Sequence, residues 1–145
     1  MTNQNNISEN SQSVQSHLTI LQNVIQRMAS NSTSSKAWCI TLVSAILVVV
    51  AEKGNSHYAL IAIIPTVLFF ALDCYYLALE KGFRNSYNEF ISKLHERELY
   101  KEDLFAVKPK GKMKKLFLES VISFSIWPFY LTLLLMIYIT KILIF

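Results

Sequence analysis

Asp73 is the one acid well inside an apolar run, His57 to Leu79, lying short of the charged exit at Glu80. A carboxylate is costly to hold in lipid, so it is kept where it pairs with another polar group or serves a polar route. At helical spacing Ala59, Ala62, Thr66, Asp73, Tyr76 and Glu80 fall along one stripe, and Thr41, Ser44, Val48 and Ala51 make a similar stripe on the preceding run. Small and polar residues on one face are what helix packing in lipid selects. The candidate polar stripe is therefore Thr41, Ser44, Thr66 and Asp73. Two roles suit Asp73: a tie at interfacial depth to Thr41, Ser44 or a headgroup, or the lining of a polar path in an oligomer.

Nothing else in the chain has the spacing of catalytic groups. His17, His57 and His95 are scattered, and no two share a ligand spacing with Cys or acidic residues, so no metal site is expected. His95-Glu96-Arg97-Glu98 reads as a solvated charged face, because adjacent helical residues point in different directions. There is no Gly-rich phosphate loop and no nucleophile elbow. Cys39 and Cys74 are neither a CxxC pair nor part of a zinc set and read as small apolar fillers without a disulfide. The expectation is a protein that is not an enzyme and has no cofactor.

The elements that position Asp73 follow from the apolar runs. The chain is 52% hydrophobic with only three Gly and three Pro, outside the ordinary soluble range. His57 to Leu79 and Val121 to Phe145 are each long enough to cross a bilayer core of about 30 Å. Ala37 to Ala51 has 15 residues, shorter than the usual span of about 20. Trp38 at one end and the polar turn Glu52 to Ser56 at the other make it the first arm of a membrane hairpin. The fold class expected is an all-α membrane protein with spans at about 37–51, 57–79 and 121–141. Pro65 should bend its helix unless neighbours compensate, and Pro128 interrupts and kinks the final span.

Outside the spans, residues 1–16 are Asn-, Gln- and Ser-rich and read as a disordered tail, leaving 17–145 as one helical domain. No basic region leads directly into an apolar core near the start, so no cleaved signal peptide is expected. Leu18, Leu21, Ile25 and Met28 recur at helical spacing and define an amphipathic helix. Ser30 to Lys36 is either a linker or a polar helical turn. Helical periodicity also continues past the second span through Phe83, Tyr87, Phe90, Ile91 and Leu94, giving that helix an extension outside the membrane. The two apolar faces, Leu18, Leu21, Ile25 and Met28 on one and Phe83 and Tyr87 on the other, make the candidate partner face, within one chain or between copies. Between positions 80 and 115 stand ten Lys or Arg and six acids, which makes this loop cytoplasmic by the positive-inside rule. The N-terminus is then cytoplasmic and the C-terminus periplasmic. Lys108 to Lys115 mark the inner boundary and suit anionic headgroups, with no direct nucleic-acid readout expected.

The block WCITLVSAILVVVAEKGNSHYALIAIIPTVLFFALDCYYLALEKGFRNSYNEFISKLH, Trp38 to His95, resembles a module of small multi-pass inner-membrane proteins of bacterial phage-defence systems, including the transmembrane effectors of retrons. The resemblance implies a toxic effector that damages the inner membrane on infection, causing abortive infection. It also implies regulation by a partner from the same operon, a reverse transcriptase–nucleic acid complex being one candidate. A non-enzymatic anchor or accessory subunit recruiting a cytoplasmic partner is the alternative, and a small transporter or lipid-binding protein a third. Three spans cannot enclose a water-filled path, so a permeability function requires a homo-oligomer in the lipid bilayer.

Overall fold

The computed structural model describes residues 11–143, and most of the segment read as a disordered tail lies outside them. Every regular element among these residues is helical: α1 Gln12–Lys53, α2 Ile63–His95, α3 Met113–Val121 and α4 Trp127–Leu143, with 3-10 helices at Ser56–Ala62 and Lys101–Asp103. Two continuous helical stretches, Gln12–Lys53 and Ser56–His95, are long and apolar enough to cross a membrane.

The amphipathic segment and the first apolar run form one helix of 42 residues. Ser11 starts it, its hydroxyl accepting from the N–H of Val14 at 3.4 Å, so residues 12–16 belong to the helix and not to a tail. Ser30 to Lys36 is helical throughout. Its hydroxyls do not break the helix because Thr33 and Ser35 donate to carbonyls one turn back, those of Ala29 and Asn31. Gly54 ends α1 in the left-handed conformation (φ 65°) with its N–H on Val50 O. Asn55 then accepts from the N–H of His57, closing the turn.

Neither proline lies in a helix interior. Pro65 is the third residue of α2, where a missing N–H costs little, and the chain approaches it through a 3-10 segment. Pro128 is the second residue of α4. The final apolar run is broken over residues 122–126, where Ile126 and Trp127 donate to the carbonyl of Ser123. The expected single kinked helix is therefore two helices, α3 and α4, and α4 has 17 residues.

α1 and α2 run antiparallel along their whole length. At one end Cys39, Val43, Leu47 and Val50 pack with Ala59, Ala62 and Cys74 and with Ile126, Tyr130, Leu133 and Ile137 from the α4 region. The small buried residues of the 3-10 segment and α2 let the helices approach closely. Outside this core, Val48, Val49, Ile64, Val67, Leu68, Leu131 and Leu135 are exposed. At the other end the same two helices form a stalk with a polar exterior. Leu21, Met28 and Phe83 are buried there with Val24, Ile25 and Tyr87 against them, while Leu18 joins Val14, Phe90 and Leu94. The structure thus brings the candidate partner face together within one chain.

Residues 96–112 return along the stalk as a strap. Arg97 in the left-handed region (φ 58°) terminates α2, with the N–H of Glu98 on Lys93 O. Leu99 and Leu104 then pack on the stalk. Lower down, Ser86 donates to Lys108 O at 2.6 Å, Asn85 to Lys110 O at 3.2 Å, and the N–H of Lys110 to Gly82 O at 2.9 Å. Gly82 is required there, since a Cβ would stand 2.8 Å from Pro109 Cβ.

Candidate functional site

Asp73 is fully buried where the three-helix core meets the stalk. Its partners come from the polar turn of α1. Ser32 donates to Oδ1 in a short hydrogen bond, and the Lys36 ammonium stands 2.6 Å from Oδ2. Lys36 also donates to Ser32 at 3.2 Å, so the three side chains close on one another. Oδ2 has the ammonium in ion-pair contact but no well-aligned hydrogen bond. Helix spacing explains the set: Ser32 and Lys36 are four residues apart and share a face of α1. The i to i+3 and i+4 steps from them reach Ser35, Cys39 and Val43, all buried.

Thr41 and Ser44 are not the partners. Thr41 is exposed, about 200° around α1 from Cys39 at 100° per residue. Its hydroxyl donates to Ala37 O at 2.8 Å. Ser44 is half-buried. Thr66 does lie on the buried face of α2, but its hydroxyl returns to Ala62 O at 2.7 Å. The four predicted residues therefore form no continuous polar stripe. Sequence reasoning missed Ser32 and Lys36, although Lys36 is the basic residue adjoining the first apolar run and a buried carboxylate needs a cation.

The surroundings of the cluster are apolar and aromatic. Cys74, next to Asp73, and Cys39, one turn from Lys36, are buried free thiols. Tyr130 of α4 donates to Phe69 O at 3.0 Å and sits edge-on to Phe70, ring centres 5.2 Å apart, which brings the start of α4 to the level of Asp73. No group of three or more potential metal ligands occurs among the described residues. With its charges paired across the two helices, this cluster can lock α1 to α2.

A second polar cluster fixes the strap. The buried imidazole of His17 accepts the N–H of Phe105 on Nδ1 at 2.9 Å and packs tilted against Phe90, ring centres 4.3 Å apart. Phe105 is held at φ 64°, a conformation that costs a non-glycine residue about 1–2 kcal/mol. Burial lowers the His17 pKa, a shift partly offset by the charge of Asp103. A cavity of about 130 Å³ beside it is also lined by Glu89, Lys93, Lys108 and Lys110. Lys93 lies 2.7 Å from Asp103, and this hydrogen bond raises the Lys93 pKa. Burial pushes Asp103 upward, but the bonds from Lys93 and the Tyr100 N–H outweigh it and hold the carboxyl below its usual range.

No known protein family, curated protein or solved structure matches this chain.

Proposed function

We propose that this chain is a multi-pass inner-membrane effector of bacterial antiviral defence that disturbs the bilayer around it, with the stalk in the cytoplasm. The observation that carries this reading is the shortness of the apolar part. From Trp38, about half a turn past the Lys36–Asp73 pair, to Lys53 at the turn, α1 rises about 22 Å. The described part of α4, 17 residues, covers about 25 Å. These two stretches are shorter than a hydrocarbon core of about 30 Å, although the helical stretches Gln12–Lys53 and Ser56–His95 are each long and apolar enough to cross a membrane. A short apolar belt is accommodated by local thinning of the bilayer or by association of copies, and in this reading the thinned bilayer is where the barrier fails. The exposed apolar side chains from Val48 to Leu68 and along α4 suit lipid contact. The resemblance of Trp38 to His95 to phage-defence effectors supplies the biological setting, including control by an operon partner.

The test is leakage from vesicles of increasing acyl-chain length carrying the full chain. Leakage that rises with bilayer thickness, together with collapse of membrane potential on unrestrained expression, is the expected result. Well-inserted protein that leaves both barriers intact at every thickness overturns the reading.

A second reading, an anchor for a cytoplasmic partner, is favoured by one observation. A polar groove of about 520 Å³ runs along the stalk, lined by Gln22, Asn23, Gln26, Arg84, Tyr87 and Asn88. Because the apolar faces of the stalk cover each other, a partner would dock on this amide-rich surface. Loss of partner capture on replacing Asn23 and Asn88 with bulky acids, with vesicle leakage absent, would select the anchor.

A further inference from the structure

α3 presents three different surfaces. Leu116 and Ser120 are buried against α2, with Ser120 donating to Leu116 O. On the outward side Lys114, Leu118 and Ile122 follow one another at steps of four residues, with Lys112 and Lys115 beside the first. Leu118 is 66% exposed, Ile122 76% and Phe124 82%, and Phe124 meets the half-exposed Trp127 edge-on at 6.3 Å. The outward row is therefore cationic at its start and apolar at its end.

These cations have little internal pairing among the described residues. Among the described residues Lys112 and Lys114 form no ion pair, and Lys115 reaches Glu119 only at 3.8 Å, both side chains being well exposed. Charge is also divided along the molecule. Residues 108–119 hold five lysines and one acid, whereas residues 89–103 hold five acids and three basic residues. The basic end is the one beside the apolar core. The break after α3 leaves backbone groups at residues 122–126 outside a regular helix, which hydrocarbon does not tolerate but a headgroup region does. Trp127 has the residue type found at that depth.

We propose that α3 and the turn into α4 form a binding surface for acidic phospholipid. Lys112, Lys114 and Lys115 receive the phosphates, and Leu118, Ile122 and Phe124 enter the acyl region of the same leaflet. Charge complementarity selects an anionic lipid over a zwitterionic one, because a zwitterionic headgroup offers the ammonium groups no net counter-charge. An acidic protein partner fits less well, as Phe124 and Ile122 would remain in water. This surface rests on the membrane placement proposed above and adds a lipid class to it.

Trp38 and Trp127 are the two tryptophans of the chain, so Trp38→Phe leaves Trp127 as a reporter at the site. The full chain is reconstituted in mixed phosphatidylcholine and phosphatidylglycerol vesicles with brominated acyl chains on one lipid or the other. Brominated phosphatidylglycerol should quench Trp127 with a preference of about fivefold or more, roughly what one lysine near an anionic surface supplies. Raising the salt in the unaltered lysine background should shrink the preference, and so should Lys112→Gln, Lys114→Gln and Lys115→Gln together. Equal quenching by the two lipids, or a preference that neither salt nor the lysine changes reduce, overturns the proposal while leaving membrane insertion intact. Absence of quenching by either lipid overturns the insertion of this end and the surface with it.

Discussion

The Lys36 ammonium stands 2.6 Å from the Asp73 carboxylate and joins α1 to α2 at the level where both helices change from an apolar to a polar exterior. Lys36 is one fifth exposed, whereas Asp73 is fully buried. The two ends of the pair therefore respond differently to substitution.

Asp73→Leu leaves Lys36 and Ser32 without their acceptor and should cost about 3–5 kcal/mol, toward the lower end because Lys36 can turn to water. Asp73→Asn retains a hydrogen-bond acceptor for Ser32 and should cost about 1–3 kcal/mol. Adding Lys36→Met to Asp73→Leu should restore most of the loss. Cys39 and Cys74 are the only cysteines and are buried near the pair, so a thiol-reactive dye reports its opening during heating. A double variant no more stable than Asp73→Leu would exclude charge pairing as the source of the effect.

The strap should loosen in mild acid. His17 has a lowered pKa in the folded chain, so the unfolded state binds the proton more readily between that value and 6.5. Stability from this group is full above pH 6.5 and falls as pH drops through that window toward the folded pKa. Protonation also removes the acceptor that Phe105 uses. Asp103, held below the usual carboxylate range, stays charged across the same range and does not cancel the effect. Trypsin cleavage at Lys101 should accelerate from pH 7.5 to 6, and His17→Gln should flatten the profile. An identical pH profile in the variant would assign the acid response to other groups.

Gly82→Ala tests the seat of the strap. Alanine favours the helix by about 1 kcal/mol, but its Cβ would meet Pro109 at 2.8 Å. Overpacking of that kind costs about 1–3 kcal/mol. The expected outcome is unchanged helicity by circular dichroism and faster cleavage between residues 96 and 112. Protection equal to that of the parent chain would show that Pro109 moves without loss.

Replacing Leu21 and Ile25 with Ser should open the stalk. Leu21 is almost wholly buried against Phe83 and Met28, and Ile25 packs on the same cluster. Burial of a large aliphatic side chain is worth about 1.5–3 kcal/mol, so the pair should lower the stalk's protection from amide exchange by orders of magnitude. Exchange in the Ala37 to Ala51 portion should change little. Equal loss at both ends would mean that stalk and core unfold as one unit.

A phosphatase reporter that works only in the periplasm should be active when fused after Phe145 and silent when inserted near Lys101. Activity at Lys101 would reverse the orientation proposed from the basic loop. Silence at both sites would remove one crossing.

By itself the sequence determined the helical class, the long apolar stretches and the two amphipathic faces, because helical periodicity and hydropathy are local and survive any arrangement of neighbours. It singled out Asp73 for the same reason, as an acid among apolar residues. The tertiary structure decided the rest. Asp73 meets Ser32 and Lys36 and not Thr41 or Ser44 because the antiparallel register of α1 on α2 depends on how the turn at Gly54 and the 3-10 segment after it bring the helices together. The polar stretch Ser30 to Lys36 could be read as a linker or a helix, and it is helical because α2 receives its inner face. Pro128 suggested a kink, whereas the chain breaks at Ser123 and restarts with the proline in the first turn, allowing Tyr130 to reach Phe69. The strap on His17 and Gly82 had no periodic signal at all: its contacts join residues up to 88 positions apart, and only the closed fold places them together.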